Sequence, residues 1–244
     1  MSEPEKPYIK RHSDADGIEI WVVDGKYIRD HINREFTNFG QYYRFDFIPK
    51  NEFWLDKEYS PDESDFFVNH LLIEWDLMSK EIPYEKAIEK ADEEERRERK
   101  KSEYLQKVKS KNHGREIPTE LYVDRLETYS DGIDVWIVSG ELVRDLFYVD
   151  FTEGGHEFVY DFIPKNEVWI DNDLGPAERA FVILHELHER NLMKEGMKYL
   201  SAHLSSSIIE YKCRHGEKDL HEEIKNELNL NKERILYWIS KGAQ

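Results

Sequence analysis

The chain repeats itself. DGIEIWVVDG at Asp16 returns as DGIDVWIVSG at Asp131, and DFIPKNEFWLD at Asp46 returns as DFIPKNEVWID at Asp161, both at an offset of 115 residues. The register runs without a gap from Asp16–Asp56 against Asp131–Asp171 and continues through Met78 and Met193 to Arg99 and Arg214. A unit this long, present twice, makes a tandem pair rather than a solenoid, so one fold must satisfy both halves. The expected division is a first repeat at 1–88, a charged helical linker at 89–117, a second repeat at 118–214 and C-terminal helices at 215–244.

Each repeat opens with strand-like segments. Ile18, Ile20 and Val22 alternate with Glu19, Trp21 and Val23, and Val135 to Val138 match them. Tyr27 to Ile32 and Leu142 to Val143 read as return strands. Tyr42 to Ile48 and Phe158 to Ile163, rich in aromatic and β-branched residues, read as strands stopped by Pro49 and Pro164. Phe53 to Leu55 and Val168 to Ile170 complete the set. Two helices follow, the first opened in the first repeat by a Ser60-to-Glu63 capping box and in the second by Gly175-Pro176. The fold class is therefore α+β: a duplicated unit of a small antiparallel sheet followed by a helical hairpin. The charged run Glu89 to Lys111 extends the second helix toward Gly114, and Glu217 to Leu230 and Lys232 to Ser240 read as two further helices, with Ile235, Leu236, Trp238 and Ile239 offering apolar surface.

Composition narrows the partners. Among 244 residues the formal net charge is −17 and 36% are charged, which argues against non-specific nucleic-acid or anionic-membrane binding. A basic protein surface remains a possible partner. The single cysteine, Cys213, excludes an intramolecular disulfide and suits a reducing compartment. MSEPEKPYIK has no apolar core of a signal peptide, and no apolar run reaches membrane-spanning length, so a soluble, cytoplasmic protein is expected.

The densest chemistry lies in FVILHELHERNLMKEGMKYLSAHLSSSIIE, Phe181 to Glu210. Phe181, Leu184, Leu187 and Leu192 recur at helical spacing, which places His185, His188 and Glu189 on one side of a helix. Gly196 ends it. A second helix begins near Lys198 and carries His203 and Glu210 two turns apart, with Tyr199, Ser206, Ser207 and Arg214 beside them. A short turn makes the two helices antiparallel neighbours, so their polar faces meet.

The duplication supplies an internal comparison. His70 matches His185, Glu74 matches Glu189, Tyr84 matches Tyr199, Glu95 matches Glu210 and Arg99 matches Arg214. The second repeat alone has Glu186 (Leu71 in the first), His188 (Ile73), His203 (Ile88) and His156 (Gln41). Two readings follow. Imidazoles and carboxylates are the usual donors to zinc and similar divalent ions, with His185 and Glu189 one turn apart and His203 facing them. Glu186 stands where the general base stands in H-E-x-x-H, but the sequence is H-E-L-H-E, so His188, Glu189 and His203 compete for the remaining positions. Alternatively, the pairs shared by both repeats form buried hydrogen-bonded struts closed by arginine. His156, after Gly154-Gly155, reads as a turn residue.

Arg144-Asp145, DFTEGGH at Asp150 to His156, IPKNEVWID at Ile163 to Asp171, LHELHERNLM at Leu184 to Met193 and KEGMKYLSAH at Lys194 to His203 together resemble a family of small uncharacterised prokaryotic and phage-borne proteins with a zinc-peptidase-like pattern. The resemblance covers about Gly132 to Arg214 and implies a metal site in the second repeat. The first repeat shares the strand motifs and IPKNEFWLD but lacks the HELHE and AH elements. The expectation is a metal-dependent, peptidase-like hydrolase with zinc or a similar divalent ion on His185, Glu189, His203 or His188, with Glu186 taking the proton and a protein or peptide as partner. The other class of function open to the sequence is a non-catalytic acidic protein that binds a basic partner or mimics nucleic acid.

Overall fold

The computed structural model describes residues 6–59, 61–111, 116–130 and 132–242, with side chains described as far as Asn231. It divides into two compact units, Met1–Thr119 with Glu141–Thr152, and Glu120–Gly140 with Glu153–Gln244. The segment 141–152 of the second repeat thus groups with the first unit, which no feature of the sequence announces.

The first unit begins with β1 (Tyr8–Ala15), β2 (Ile18–Val23), α1 (Gly25–His31), β3 (Phe39–Gln41) and β4 (Glu52–Asp56), then α2 (Ser64–Ser79), α3 (Tyr84–Arg99) and α4 (Glu103–Lys111). Its sheet runs β1-β2-β4-β3. β2 and β4 are parallel, with Trp21 opposite Trp54, and the other pairs are antiparallel. The sheet is mixed rather than wholly antiparallel because Tyr27 to Ile32 is not a return strand. Asp24 caps α1 by accepting the Tyr27 N–H, and this helix carries part of the crossover that a parallel pair needs. Tyr42 to Ile48 is not a strand either. The Gln41 carbonyl accepts the N–H groups of Arg44 and Phe45, turning the chain, and Phe45 and Ile48 pack with Val23, Ile28, Phe36 and Trp54. Those aromatics are apolar because they fill one face of the sheet. Ile18, Ile20, Phe53 and Leu55 form the other face, covered by Phe67 and Leu71 of α2. Burying each such side chain contributes about 1.5–3 kcal/mol.

The second unit repeats the topology. β5 (Tyr122–Arg125), β6 (Asp134–Val138), β7 (Gly154–His156) and β8 (Glu167–Asp171) run β5-β6-β8-β7, again with a parallel central pair and Trp136 opposite Trp169. In the second repeat Leu142 and Val143 lie in a helix, α5 (Gly140–Leu146), which from Glu141 on groups with the first unit, and Phe158 to Ile163 again follows the short strand as turns. The hairpin is α6 (Pro176–Lys194) and α7 (Tyr199–Arg214), with Pro176 in the first turn and Gly196 at φ +93° in the connection. One helix, α8 (Leu220–Gly242), replaces the two expected after it. Its Ile224 and Leu228 join Val135, Val168, Ile170, Ile183 and Leu187 in the core. Ile235, Leu236, Trp238 and Ile239 lie outside the described side chains.

Two further expectations change. Ser60 lies outside the described residues, and the Glu63 side chain makes no capping hydrogen bond: its fully buried carboxylate pairs with Arg99 at 2.8 Å and with Arg144. The run 89–117 is not a single linker, because α3 passes through residue 88 and buries Ala91, Glu95 and Arg99 within the repeat before it breaks ahead of α4. Gly114 lies outside the described residues.

A glycine fixes the turn after β2. A Cβ on Gly25 would stand 1.7 Å from Asp56 Oδ2. Asp56 cannot swing away, since its buried carboxylate takes the Gly25 N–H at 3.2 Å and the Arg29 guanidinium at 2.8 Å. Gly25→Ala is therefore expected to lower stability by about 2 kcal/mol in urea unfolding. Gly17→Ala, at φ +83° with nothing within 4 Å, is expected to cost only about 1 kcal/mol.

Candidate metal centre

The two helices of the second hairpin bring three donors into one triangle. His185 and Glu189 lie one turn apart on α6, and His203 faces them from α7. His203 Nδ1 is 3.2 Å from His185 Nε2 and 2.9 Å from Glu189 Oε2, and His185 Nε2 is 3.7 Å from Glu189 Oε2. Donors about 2.0 Å from a tetrahedral zinc ion stand roughly 3.3 Å from one another. The triangle therefore has the size of one face of such a site. Solvent reaches it past His203, whose side chain is 36% exposed, whereas that of Glu189 is 3% exposed.

Two of the donors, His185 and Glu189, are held from behind. His185 Nδ1 donates to Glu210 Oε2 at 2.8 Å, leaving Nε2 toward the triangle. Arg214 donates to Glu210 at 2.8 Å and to both oxygens of Glu178 at 3.0 and 2.9 Å. Such carboxylate–histidine pairs fix the tautomer and orientation of a metal-binding imidazole. Burial opposes a charge on His185, but hydrogen bonds to Glu189 and Glu210 outweigh it and hold the imidazole well above its ordinary pKa. Burial likewise opposes the charge on Glu210, yet His185 and Arg214 bring its carboxyl down to about 2. Glu189 is held well below the carboxylate range against its burial by hydrogen bonds from His156, His185 and His203. Glu186 goes the other way: burial, and then the charge of Glu189, push it up to about 8.

His156 is no turn decoration. It is fully buried on β7. Its Nδ1 accepts the Phe158 N–H at 3.2 Å, so Nε2 carries the proton and donates to Glu189 Oε1 at 3.2 Å. The ring orients Glu189 and turns its other oxygen to the triangle. The preceding glycines carried the signal: a Cβ on Gly154 would meet the Trp169 carbonyl at 2.9 Å and Glu186 Cγ at 3.2 Å. Glycine inside a strand marks such close approach.

His188 stands apart from the triangle. Its Nδ1 is 2.7 Å from Glu227 Oε1 on α8, and its Nε2 is 3.0 Å from Ser205 Oγ on α7. Successive residues of a helix diverge by about 100°. Glu189 therefore turns to His203 while its neighbour turns toward α8. Glu189 and His203 thus converge with His185, and His188 does not.

The first repeat has the outer groups and two of the inner donors, His70 and Glu74, without the third. His70 Nδ1 is 2.8 Å from Glu95, which Arg99 holds at 2.7 Å, and Arg99 reaches Glu63. Gln41 stands in for His156 bond for bond: its amide nitrogen donates to Glu74 and its oxygen accepts the Tyr43 N–H. Where His203 would be there is Ile88, beside a cavity of about 220 Å³ that His70, Glu74 and Tyr84 also line. Among the described residues, the groups of three or more donors close enough to hold an ion are all in the second repeat. No known protein family, curated protein or solved structure matches the chain.

The first repeat offers a pH test of the shared network. Burial opposes the charge on His70, but Glu74 and Glu95 outweigh it and raise its pKa to about 10. A raised histidine contributes stability that is complete below its unfolded pKa and is lost as pH rises through the folded one. The stability gap between wild type and His70→Gln is expected to shrink by about 2 kcal/mol from about pH 7 to about pH 9, measured by urea unfolding. A constant gap would mean that His70 is neutral in the fold.

Proposed function

We propose that the second repeat binds one divalent metal ion, zinc by its donor set, through His185 Nε2, His203 Nδ1 and Glu189 Oε2, and that the protein is a metal-dependent hydrolase acting on a peptide or other amide. The observation that carries this reading is the donor triangle, with sides of 3.2, 2.9 and 3.7 Å. Three protein donors leave a fourth position for water or substrate, as catalytic rather than structural zinc sites do. When bound, such an ion polarises a carbonyl and lowers the pKa of its water.

The chain's own residues supply the rest. Glu210, fixed by Arg214, orients His185; His156 orients Glu189. A Glu186 carboxylate oxygen lies within 4.8 Å of donor atoms of Glu189 and His156. In this reading its ionised form takes a proton from water at the site. The first repeat, with Ile88, Ile73 and Leu71 at the matching positions, takes no part.

Elemental analysis after zinc incubation and desalting is expected to find one equivalent per chain, lost in His185→Ala and His203→Ala. Two equivalents would show that the first repeat binds metal, and none would remove the proposal. Glu210→Gln is expected to weaken zinc binding about 10–100-fold, because it loosens the orientation of His185. Glu186→Gln is expected to keep the metal and lower hydrolysis by about 100-fold or more, as loss of a general base does. Loss of metal in Glu186→Gln would make Glu186 a ligand instead.

A further inference from the structure

The hydrogen bonds of His188 form a chain of their own. Ser205 Oγ is 3.0 Å from His188 Nε2, His188 Nδ1 is 2.7 Å from Glu227 Oε1, and Asn191 donates to Glu227 Oε2 at 2.8 Å. The carboxylate on Nδ1 places the ring proton there, so Nε2 carries the lone pair and Ser205 O–H donates to it. That is the tautomer in which an imidazole removes a proton from a hydroxyl. Ser205 is half-buried, while Glu227 and Asn191 are buried. The order of exposure thus runs from the hydroxyl inward to its supports.

The internal comparison separates this group from the shared scaffold. In the first repeat the position of Ser205 is Lys90 and that of His188 is Ile73. The surface around it changes in step. Leu200, Leu204, Ile208 and Tyr211 are exposed on α7, one helical turn or less apart. Their counterparts are Glu85, Glu89, Glu93 and Arg96. The second repeat therefore pairs a serine–histidine–glutamate chain with an apolar helix face, where the first has isoleucine for the histidine and charges at the positions of the serine and of the apolar face.

We propose that Ser205 is an activated nucleophile, with His188 as its general base and Glu227 as the positioning residue, and that it takes acyl groups from esters whose acyl part is apolar. Ser205 Oγ bonds to the acyl carbon as its proton passes to His188 Nε2. The carbon–oxygen bond to the leaving alcohol breaks, and that alcohol takes the proton from His188. Water then attacks the acyl carbon, gives its proton to His188, and Ser205 leaves with the proton returned. The substrate class follows from the helix. Ser205 is mid-helix, where backbone N–H groups are engaged by carbonyls four residues back, so no pair of amides is free to hold an oxyanion. This restricts the site to esters with good leaving groups and excludes amides. Leu204 and Ile208 flank Ser205 and give an alkyl chain apolar surface to lie on. The inference stands independently of the metal centre.

The test is labelling of the full chain with an alkyl fluorophosphonate in the presence of a chelator, read by peptide mass spectrometry. The probe's phosphorus bonds to Oγ, the P–F bond breaks and HF leaves by way of His188. The expected result is one adduct on Ser205, none on the exposed Ser201 of the same helix, and none in Ser205→Ala. Labelling is expected to slow about 100-fold in His188→Gln, the loss typical of a removed general base, with circular dichroism confirming the fold. Turnover of p-nitrophenyl octanoate is expected to exceed that of the acetate and to vanish in Ser205→Ala. No adduct on Ser205, equal labelling of Ser201, or an unchanged rate in folded His188→Gln would reduce the chain to a strut between α6, α7 and α8 and overturn the proposal. If His188→Gln does not fold, the Ser205→Ala comparison still decides: ester turnover retained in that variant overturns the proposal equally.

Discussion

A buried chain of alternating charge, histidine to glutamate to arginine to glutamate, sets the geometry of both hairpins. In the second repeat it runs His185, Glu210, Arg214, Glu178; in the first, His70, Glu95, Arg99, Glu63. Each chain starts on the first helix of its hairpin, crosses to the second and returns to the start of the first. Buried charges are costly unless every one is paired, so each such chain permits only one register of the two helices. That register puts His203 opposite Glu189 in one repeat and Ile88 opposite Glu74 in the other. The strut and the donor triangle are thus successive layers: the strut and two of the three donor positions, His70 with His185 and Glu74 with Glu189, are common to both repeats, and His203 is added in one.

The differences between the repeats are local. His156 and Gln41 make the same two hydrogen bonds with different chemistry, one from its backbone neighbour two residues on and one to the acidic residue of the helix. Replacing Ile88 by His203 adds the third donor without moving the frame. Replacing Leu71 by Glu186 brings in a carboxyl that burial and the Glu189 charge push up to about 8. Replacing Ile73 by His188 leads away from the donors, toward Ser205 and α8. A single duplicated scaffold therefore carries two separate groups of hydrogen-bonded polar side chains in its second half.

Much of this was legible in the sequence, and what was missed has physical causes. The gapless offset announced one fold used twice, and the 3.6-residue period of α6 faced His185 and Glu189 the same way. Residues 27–32 look like a strand because α1, at seven residues, is too short to show a helical period, although Asp24 is a recognisable cap. Residues 42–48 look like a strand because aromatic density signals burial as well as strand, and here it reflects a core-filling turn. His156 was set aside because Gly154-Gly155 looked like a turn, when those glycines mark a strand pressed against Trp169 and Glu186. The link from His188 to Glu227 joins residues 39 apart on separate helices, and no local pattern encodes that pairing. The grouping of 141–152 with the first unit was equally beyond local pattern.

The central claim is the identity of the three donors, and anomalous diffraction at the zinc edge from crystals grown with zinc tests it most directly. The account predicts one strong peak in the second repeat about 2.0–2.2 Å from His185 Nε2, His203 Nδ1 and a Glu189 oxygen, with His185 still bonded to Glu210. A peak on His156 and Glu186, a peak on His188 and Glu227, or no peak in the hairpin would contradict it.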